Sequence, residues 1–241
     1  MEPIRIRAYM QDGRVAGGDP ALPLDSMLAY AAVVLDHGDA YWNDLADQTA
    51  IQPELPLERR GTDDDWYWAC SENQSSPLGE YTRYWHKRFD DEKIVYLSIA
   101  GPQKIPIGSG PYRAYRMPMA IQLFPFLEWF AVGDPEGVRR LCVVLTHLGK
   151  KSAQGFGLVE HWEVTPWAED WSCWRDGRPT RPIPLSDVSP GTSMSGLTVG
   201  RHGIRPPYWH SPAWRPACWS RRVDKMPGGI YDVAGGRAQH A

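Results

Sequence analysis

A nine-residue segment near the middle of the chain has the composition of an anion-binding loop. It reads Gly149-Lys150-Lys151-Ser152-Ala153-Gln154-Gly155-Phe156-Gly157. Glycine permits positive φ and a close approach of the backbone to a ligand, and successive backbone N–H groups can then surround an anion. Two lysines add positive charge for phosphates. The segment predicts phosphate contacts from the side chains of Lys150, Lys151, Ser152 and Gln154 and from the N–H groups of Gly155, Phe156 and Gly157.

The elements on either side of this loop decide what kind of anion site it can be. Asp134 and Pro135 are a typical helix start, and the apolar residues that follow recur at helical spacing as far as Leu148, with Gly149 in the position of a C-cap glycine. A strand is predicted over 156–164. A nucleotide-binding P-loop has the reverse order, strand before helix, and the GxxxxGK[ST] pattern is absent. The alternative is a capped helix followed by a tight turn with solvated lysines.

A second segment, residues 80–88, alternates aromatic and basic side chains and reads EYTRYWHKR. Such a mixture suits single-stranded RNA, because bases stack on aromatic rings while arginine and lysine meet the phosphates. The predicted contact residues are Arg83, Trp85, His86, Lys87 and Arg88. An amphipathic hairpin or short helix with Trp85 in the core explains the same pattern equally well.

Two pairs of arginines are further candidates for RNA contact. Arg5 and Arg7 share one face of a strand predicted over Ile4–Met10 by its period-two alternation, although an ordinary solvated sheet face explains them slightly better. Arg113 and Arg116 lie in a stretch rich in glycine and proline.

Catalytic and metal-binding patterns are weak in this chain. Seven histidines occur, and none is paired by spacing with a second catalytic group. His86 with Lys87 and Tyr84 would be the best candidate trio for acid–base cleavage of RNA. The four cysteines lie too far apart for a zinc site and are expected to be free or buried thiols. We therefore expect no catalytic residue, no metal and no cofactor.

The order of predicted elements indicates an α+β fold. A strand at residues 4–10 precedes a helix from Leu24 to Leu35 that ends at Gly38, then come strands at 65–71 and 93–99 and an apolar strand at 119–132 with a bend at Pro125. With the helix at 135 and the strand at 156 this is β-α-ββ, then β-α-β, typical of a ferredoxin-like (RRM-like) domain. That domain is predicted over 1–165, with a possible thumb insertion at 72–92. Residues 166–241, rich in proline, tryptophan and arginine, are predicted to pack on it as long ordered loops.

Composition limits the class of protein. The chain has 241 residues, of which 42% are apolar, and a net charge of −3. Such a chain can bury a sizeable core, and its mild acidity argues against a free-standing, non-specific nucleic-acid binder. No apolar run approaches the ~18 residues that span a bilayer, and the first residues do not resemble a signal peptide. A cytoplasmic protein without membrane contact is expected.

Several short blocks, in this order, resemble one protein family. The helix, the segment 149–157 and the following strand resemble the glycine-rich loop of the RAMP superfamily of CRISPR-associated proteins. Blocks along most of the chain resemble the third subunit of the Csf group of type IV CRISPR systems. They are 12–17, 22–30, 133–135, 159–164, 181–184 and 206–209.

The resemblance implies a function as well as a fold. The family's third subunit is Cas-five-like: it is expected to cap the 5′ handle of the guide RNA (crRNA) within an antiviral effector ribonucleoprotein. Its implied partners are the crRNA, the repeated backbone RAMP subunits and the large subunit, with target DNA met only indirectly and a helicase as a possible partner. Inserted thumbs of such subunits often touch the guide. The alternatives are a metal-independent endoribonuclease that processes precursor crRNA and a protein–protein adaptor without RNA contact.

Overall fold

The computed structural model describes residues 1–17, 21–38, 52–88, 90, 96, 108–110 and 112–220, apart from the side chains of Asp63 and Pro212. The helices and strands of these residues are β1 (Glu2–Met10), β2 (Arg14–Ala16), α1 (Leu24–His37), β3 (Arg59–Arg60), β4 (Tyr67–Trp68), β5 (Gly79–Lys87), β6 (Tyr115–Leu123), β7 (Phe126–Gly133), α2 (Pro135–Cys142), β8 (Val159–Pro166), β9 (Trp174–Arg175), β10 (Arg178–Pro179), β11 (Ile183–Pro184), β12 (Leu197–His202) and β13 (Arg215–Ser220). Antiparallel sheets combined with helices confirm an α+β fold.

The first sheet has the strand order β7–β1–β8, and both pairings are antiparallel. Side chains alternate across a strand, so β1 turns Ile4, Ile6 and Ala8 to one side. These residues are buried in one apolar cluster with residues of α1 and α2. The strand predicted at 4–10 and the helix predicted from Leu24 are therefore confirmed.

A second sheet, β2–β6–β5, uses the other half of the predicted apolar strand 119–132. The chain breaks at Phe124 and Pro125, so β6 joins this second sheet while β7 joins the first. The predicted bend at Pro125 is thus a change of sheet. Proline lacks a backbone N–H and is tolerated where a ladder is interrupted.

The second helix is shorter than its apolar spacing predicts. Asp134 caps it by accepting a hydrogen bond from Gly137 N at 2.9 Å, as expected, but α2 ends at Cys142. Leu145 and Leu148 are buried without being helical, because the chain turns and runs back antiparallel to the segment before β8. The helix prediction to Leu148, with Gly149 as its C-cap, was wrong, and the strand predicted at 156–164 is Val159–Pro166.

Two of the predicted middle strands are less regular than expected. In the stretch 65–71 only Tyr67–Trp68 is a strand, although Val132 N donates to Ala69 O at 2.9 Å and Ser71 N to Phe130 O at 2.8 Å. This stretch therefore lies along the outer side of β7. The strand predicted over 93–99 falls, apart from Tyr96, outside the described residues.

The C-terminal extension has more regular structure than the predicted loops. Its sheet, β11–β13–β12, packs its own buried cluster against the rest of the chain. That cluster contains Tyr67, Ala69, Val132, Cys173, Ile183, Ile204, Ala217 and Cys218. The strands have two to six residues, so no periodicity long enough to be recognised exists in the sequence. The residues beyond 220 are outside the described part.

The thiols behave as their spacing predicts. All four cysteines are free and buried. Burial raises the pKa of the Cys142 thiol to about 12, which keeps it in the unreactive protonated form at neutral pH.

Candidate nucleic-acid interface

The glycine-rich loop is the tip of a hairpin whose two ends are held by the same strand, β2. Lys150 N donates to Ala16 O at 2.9 Å, and Gly157 N donates to Arg14 O at 2.8 Å. Across the hairpin, Leu148 N donates to Gly157 O at 2.8 Å. These bonds fix the base of the loop on the second sheet and leave its tip free to meet a ligand.

The tip exposes the side chains predicted to contact phosphate. A short 3-10 turn over Ser152–Gln154 is flanked by two left-handed residues, Lys151 with φ 64° and Gly155 with φ 79°. The side chains of Lys150, Lys151, Ser152 and Gln154 are exposed. The loop therefore presents two ammonium groups and two neutral polar groups to solvent.

Phe156 has a different role from the one predicted. Its side chain is 1% exposed and packs in a buried cluster with Ala16 and Ile121, so the ring anchors the loop and is not available to a base. Gly157 is buried beside it. Both were predicted as contact residues, and the structure places both underneath the loop.

The basic and aromatic segment forms a strand that lies against this loop. All nine residues of β5 pair with β6, from Gly79 opposite Leu123 to Lys87 opposite Tyr115. Lys151 Nζ lies 4.3 Å from the centre of the Trp85 ring, and the Arg83 guanidinium lies 5.6 Å from the Phe156 ring. We call Arg83, Trp85, Lys87 and Lys151 the loop face. Two segments some 65 residues apart in the sequence thus build one surface.

The opposite side of β5 and β6 is a separate surface. Because side chains alternate along a strand, Tyr84 and His86 point away from the loop face. Arg116 lies opposite His86, and its guanidinium sits 3.8 Å from the centre of the Tyr84 ring. The candidate catalytic trio is therefore divided, with Lys87 on one side of the strand and His86 and Tyr84 on the other.

The cations around the loop have no carboxylate partners. Within the described part of the chain, Lys150, Lys151, Arg83 and Arg116 form no ion pair, and Arg88 and Arg113 are exposed and likewise unpaired. Desolvated or partnered charges lose their attraction for phosphate, whereas unpaired exposed cations keep it. Positive charge here is available to an external polyanion.

The arginines of the first sheet are in the opposite situation. Arg5 pairs with Glu163 at 3.2 Å, and Arg7 pairs with Glu128 at 2.5 Å. Tyr9 on the same face donates to Glu163 Oε2 at 3.0 Å. These compensated charges favour the solvated-sheet alternative for Arg5 and Arg7 over a phosphate contact.

One polar cluster was not recognised in the sequence as a unit. Arg181 and Asp25 are buried, with side chains 1% and 0% exposed, and their Nη2 and Oδ2 atoms are 3.2 Å apart. Tyr208 Oη lies 2.8 Å from Asp25 Oδ2, and Arg181 Nη1 donates to Cys70 O at 3.0 Å. Burial raises the pKa of the Asp25 carboxyl, against the lowering effects of Arg181 and Tyr208. The signal was present, because these three residues come from three of the blocks used for the family resemblance.

This cluster ties the first turn of α1 to the C-terminal extension. Arg181 also donates to the carbonyls of Trp68 and Ile204. The extension is thus joined to the domain by buried polar contacts as well as by apolar packing.

No group of three or more potential metal ligands occurs among the residues that the structure describes. Within the same residues no helix has the length and apolarity needed to cross a bilayer. The candidate interface therefore consists of backbone amides, unpaired cations and aromatic rings.

Comparison with known proteins identifies the family. No match was found among curated proteins. A family model described as CRISPR type IV associated protein Csf3 matches residues 2–218, which include both the glycine-rich loop and the buried Arg181 cluster. This match covers most of the chain and agrees with the resemblance read from its short blocks. The chain belongs to the family of CRISPR type IV associated protein Csf3.

Proposed function

We propose that this protein is a non-catalytic, RNA-binding subunit of a type IV CRISPR effector ribonucleoprotein, and that it holds the 5′ handle of the guide RNA. Family membership supports the association with type IV CRISPR. The contact between Lys151 and Trp85 carries the rest of the proposal, because it joins the glycine-rich loop and the aromatic strand into one surface.

The chemistry of that surface suits a single strand of RNA. Lys150, Lys151 and Arg83 supply unpaired charge for phosphates, while the backbone amides of residues 152–155 point into the same exposed turn region. Trp85 provides a flat apolar ring on which a base stacks, an interaction worth about 1–3 kcal/mol per base. Lys151 rests on that ring in the free protein, so RNA binding moves its ammonium group from the ring to a phosphate.

The fold supports the same proposal. The sheet order β8–β1–β7, with residues 69–71 beside β7 and both helices packed against the sheet, is the arrangement of a RAMP-type ferredoxin-like domain. In that interpretation β5 and β6 form the arm proposed as the thumb, and the glycine-rich loop follows the second helix. The arm then presents its loop face to the guide.

The charge of the chain is consistent with a subunit that works in an assembly. A net charge of −3 gives little general attraction to nucleic acid, so affinity depends on local cations and on neighbouring proteins. The proposed neighbours are the backbone and large subunits. Target DNA would be met through the guide, and a helicase through the assembled complex.

Replacing Lys150 and Lys151 together by alanine is expected to weaken binding of repeat-derived RNA by about tenfold or more, since two charge-assisted phosphate contacts are lost. The slope of log K against log salt should fall by about 1.4, or ~0.7 for each phosphate of a single strand. Both quantities are measured by titration of labelled RNA at several salt concentrations, with EDTA present and with neighbouring subunits added if the isolated chain binds weakly.

A matched control removes the same charge elsewhere. Arg139→Ala/Arg140→Ala also deletes two exposed cations, but from α2. It should leave the salt slope nearly unchanged. Equal slopes for the two double variants and the wild type would refute the phosphate contact.

The length of the RNA recovered from the same incubation tests the non-catalytic part. RNA of full length agrees with a capping subunit. RNA shortened at one defined position and spared by His86→Ala would establish the endoribonuclease alternative.

A further inference from the structure

Trp209 differs from every other tryptophan that the structure describes. Its side chain is 72% exposed, whereas the other described tryptophans are buried or partly buried. Four indoles elsewhere donate hydrogen bonds, for example Trp129 to Leu22 O at 2.8 Å. Among the described residues the Trp209 ring touches only its neighbour His210, edge-on at 5.8 Å. The largest apolar side chain in the code thus projects into water.

The chain on both sides of Trp209 is held firmly. Tyr208 Oη is fixed to the buried Asp25, and Tyr208 O accepts a hydrogen bond from Trp214 Nε1 at 2.9 Å. Beyond the tryptophan, His210 N donates to Pro207 O at 3.1 Å. A rigidly presented aromatic side chain loses little conformational entropy when it is covered, which is the property of an interface hot spot.

The charges around Trp209 distinguish it from the proposed RNA surface. Arg205 donates to the carbonyls of Asp64 and Trp66, at 2.8 and 2.7 Å, and Arg215 pairs with Asp65 at 3.0 Å. Arg201 donates to Trp214 O at 2.8 Å. The cations of this region are engaged within the protein, whereas those beside Trp85 have no carboxylate partner. RNA needs available cations, so the surroundings of Trp209 favour a protein.

We infer that Trp209 is the anchor of a protein–protein interface, inserted into an apolar pocket on a neighbouring protein subunit. The pocket that fits is uncharged and lined by aliphatic or proline side chains. An acceptor at its rim would take the indole N–H, which has no partner in the described part of this chain. This inference requires a protein partner and is independent of the proposed RNA contact.

The test measures association of the purified chain with each of the other subunits of its type IV complex, after nuclease treatment and without added RNA. Trp209→Ala is expected to weaken binding to one subunit by roughly 30-fold or more, as at hot spots. Trp209→Phe keeps a ring and should retain most of the affinity. Tyr30→Ala, which removes an aromatic side chain 46% exposed on α1, should have no effect.

Two further readouts keep the outcomes distinct. Thermal unfolding should be the same for the wild type and Trp209→Ala, because an exposed ring contributes little to the folded state. RNA affinity should also be unchanged by this variant, whereas the Lys150 and Lys151 changes act on RNA alone. Unchanged association with all subunits, loss of RNA binding instead, loss of self-association only, or failure of the wild type to bind any subunit would each overturn the inference.

Discussion

Arg181→Met is expected to destabilise the protein by about 3–5 kcal/mol, the largest effect of any single change considered for this chain. The substitution keeps the length of the side chain but leaves the Asp25 carboxylate buried without its cation. Breaking a buried pair from one side costs this much because an uncompensated charge stays in a medium of low polarity. The free energy of unfolding in urea measures the loss.

Two further variants separate the buried charge from the lost packing. Arg215→Met removes an arginine whose partner Asp65 is partly exposed, and its cost should stay near the ~1 kcal/mol of a surface pair. Asp25→Asn/Arg181→Met should be more stable than Arg181→Met alone, because the amide leaves no charge behind and still accepts from Tyr208. If Arg181→Met costs no more than Arg215→Met, the cluster does not stabilise the fold as described.

The same pair predicts a dependence on pH. Burial already raises the pKa of Asp25, and removal of Arg181 takes away a lowering effect. A carboxyl whose pKa is higher in the folded than in the unfolded state binds more protons when folded, so stability falls as pH rises from about 4 through the folded pKa. The gap between wild type and Arg181→Met should therefore be smaller at pH 5 than at pH 8.

Urea unfolding at the two pH values checks this sign. Asp25→Asn/Arg181→Met has no titrating group at the site and should show a gap that does not change between pH 5 and pH 8. A gap that widened on acidification in Arg181→Met would contradict the assignment of the buried charge.

Gly157→Ala is expected to be the second most damaging change, with a loss of about 3 kcal/mol or more. Gly157 has φ +74°, and a Cβ built there would lie 1.8 Å from Leu148 O, an impossible approach to backbone. The backbone strain costs about 1–3 kcal/mol, and relief of the clash must disturb the bonds to Leu148 and Arg14 that hold the loop. Unfolding free energy and RNA affinity should both fall.

Gly155→Ala is the matched control for that prediction. Gly155 has nearly the same φ, +79°, but a Cβ there would meet nothing within 4 Å. Only the cost of left-handed backbone remains, about 1 kcal/mol. Equal losses for the two variants would show that the base of the loop is not held as tightly as the structure indicates.

Patterns confined to a few neighbouring residues were predictable from the sequence. The alternation of Ile4–Met10 shows a half-buried strand, and Asp134 with Pro135 shows where a helix begins. The exposed cationic tip of the glycine-rich loop was predicted from its composition. Such signals are local, because strand periodicity and caps depend on residues within one or two turns of the chain.

Local patterns failed where burial had a non-local cause. Leu145 and Leu148 continue the helical spacing of α2, but they are buried because the chain folds back against the segment before β8. Phe156 looks like a contact residue by its place in the loop and is buried by the second sheet. Apolar spacing records which residues are buried and does not record which neighbours bury them.

The sequence by itself determined the α+β class, the family and the positions of the two candidate RNA-binding segments. Only the tertiary structure decided that Lys151 lies on Trp85, that Lys87 and His86 point to opposite sides, and that Asp25 pairs with Arg181 across 156 positions. The physical reason is register: the pairing of β5 with β6 and of the loop with β2 is set by hydrogen bonds between segments far apart in the chain. A shift of one residue would exchange the two faces of the arm.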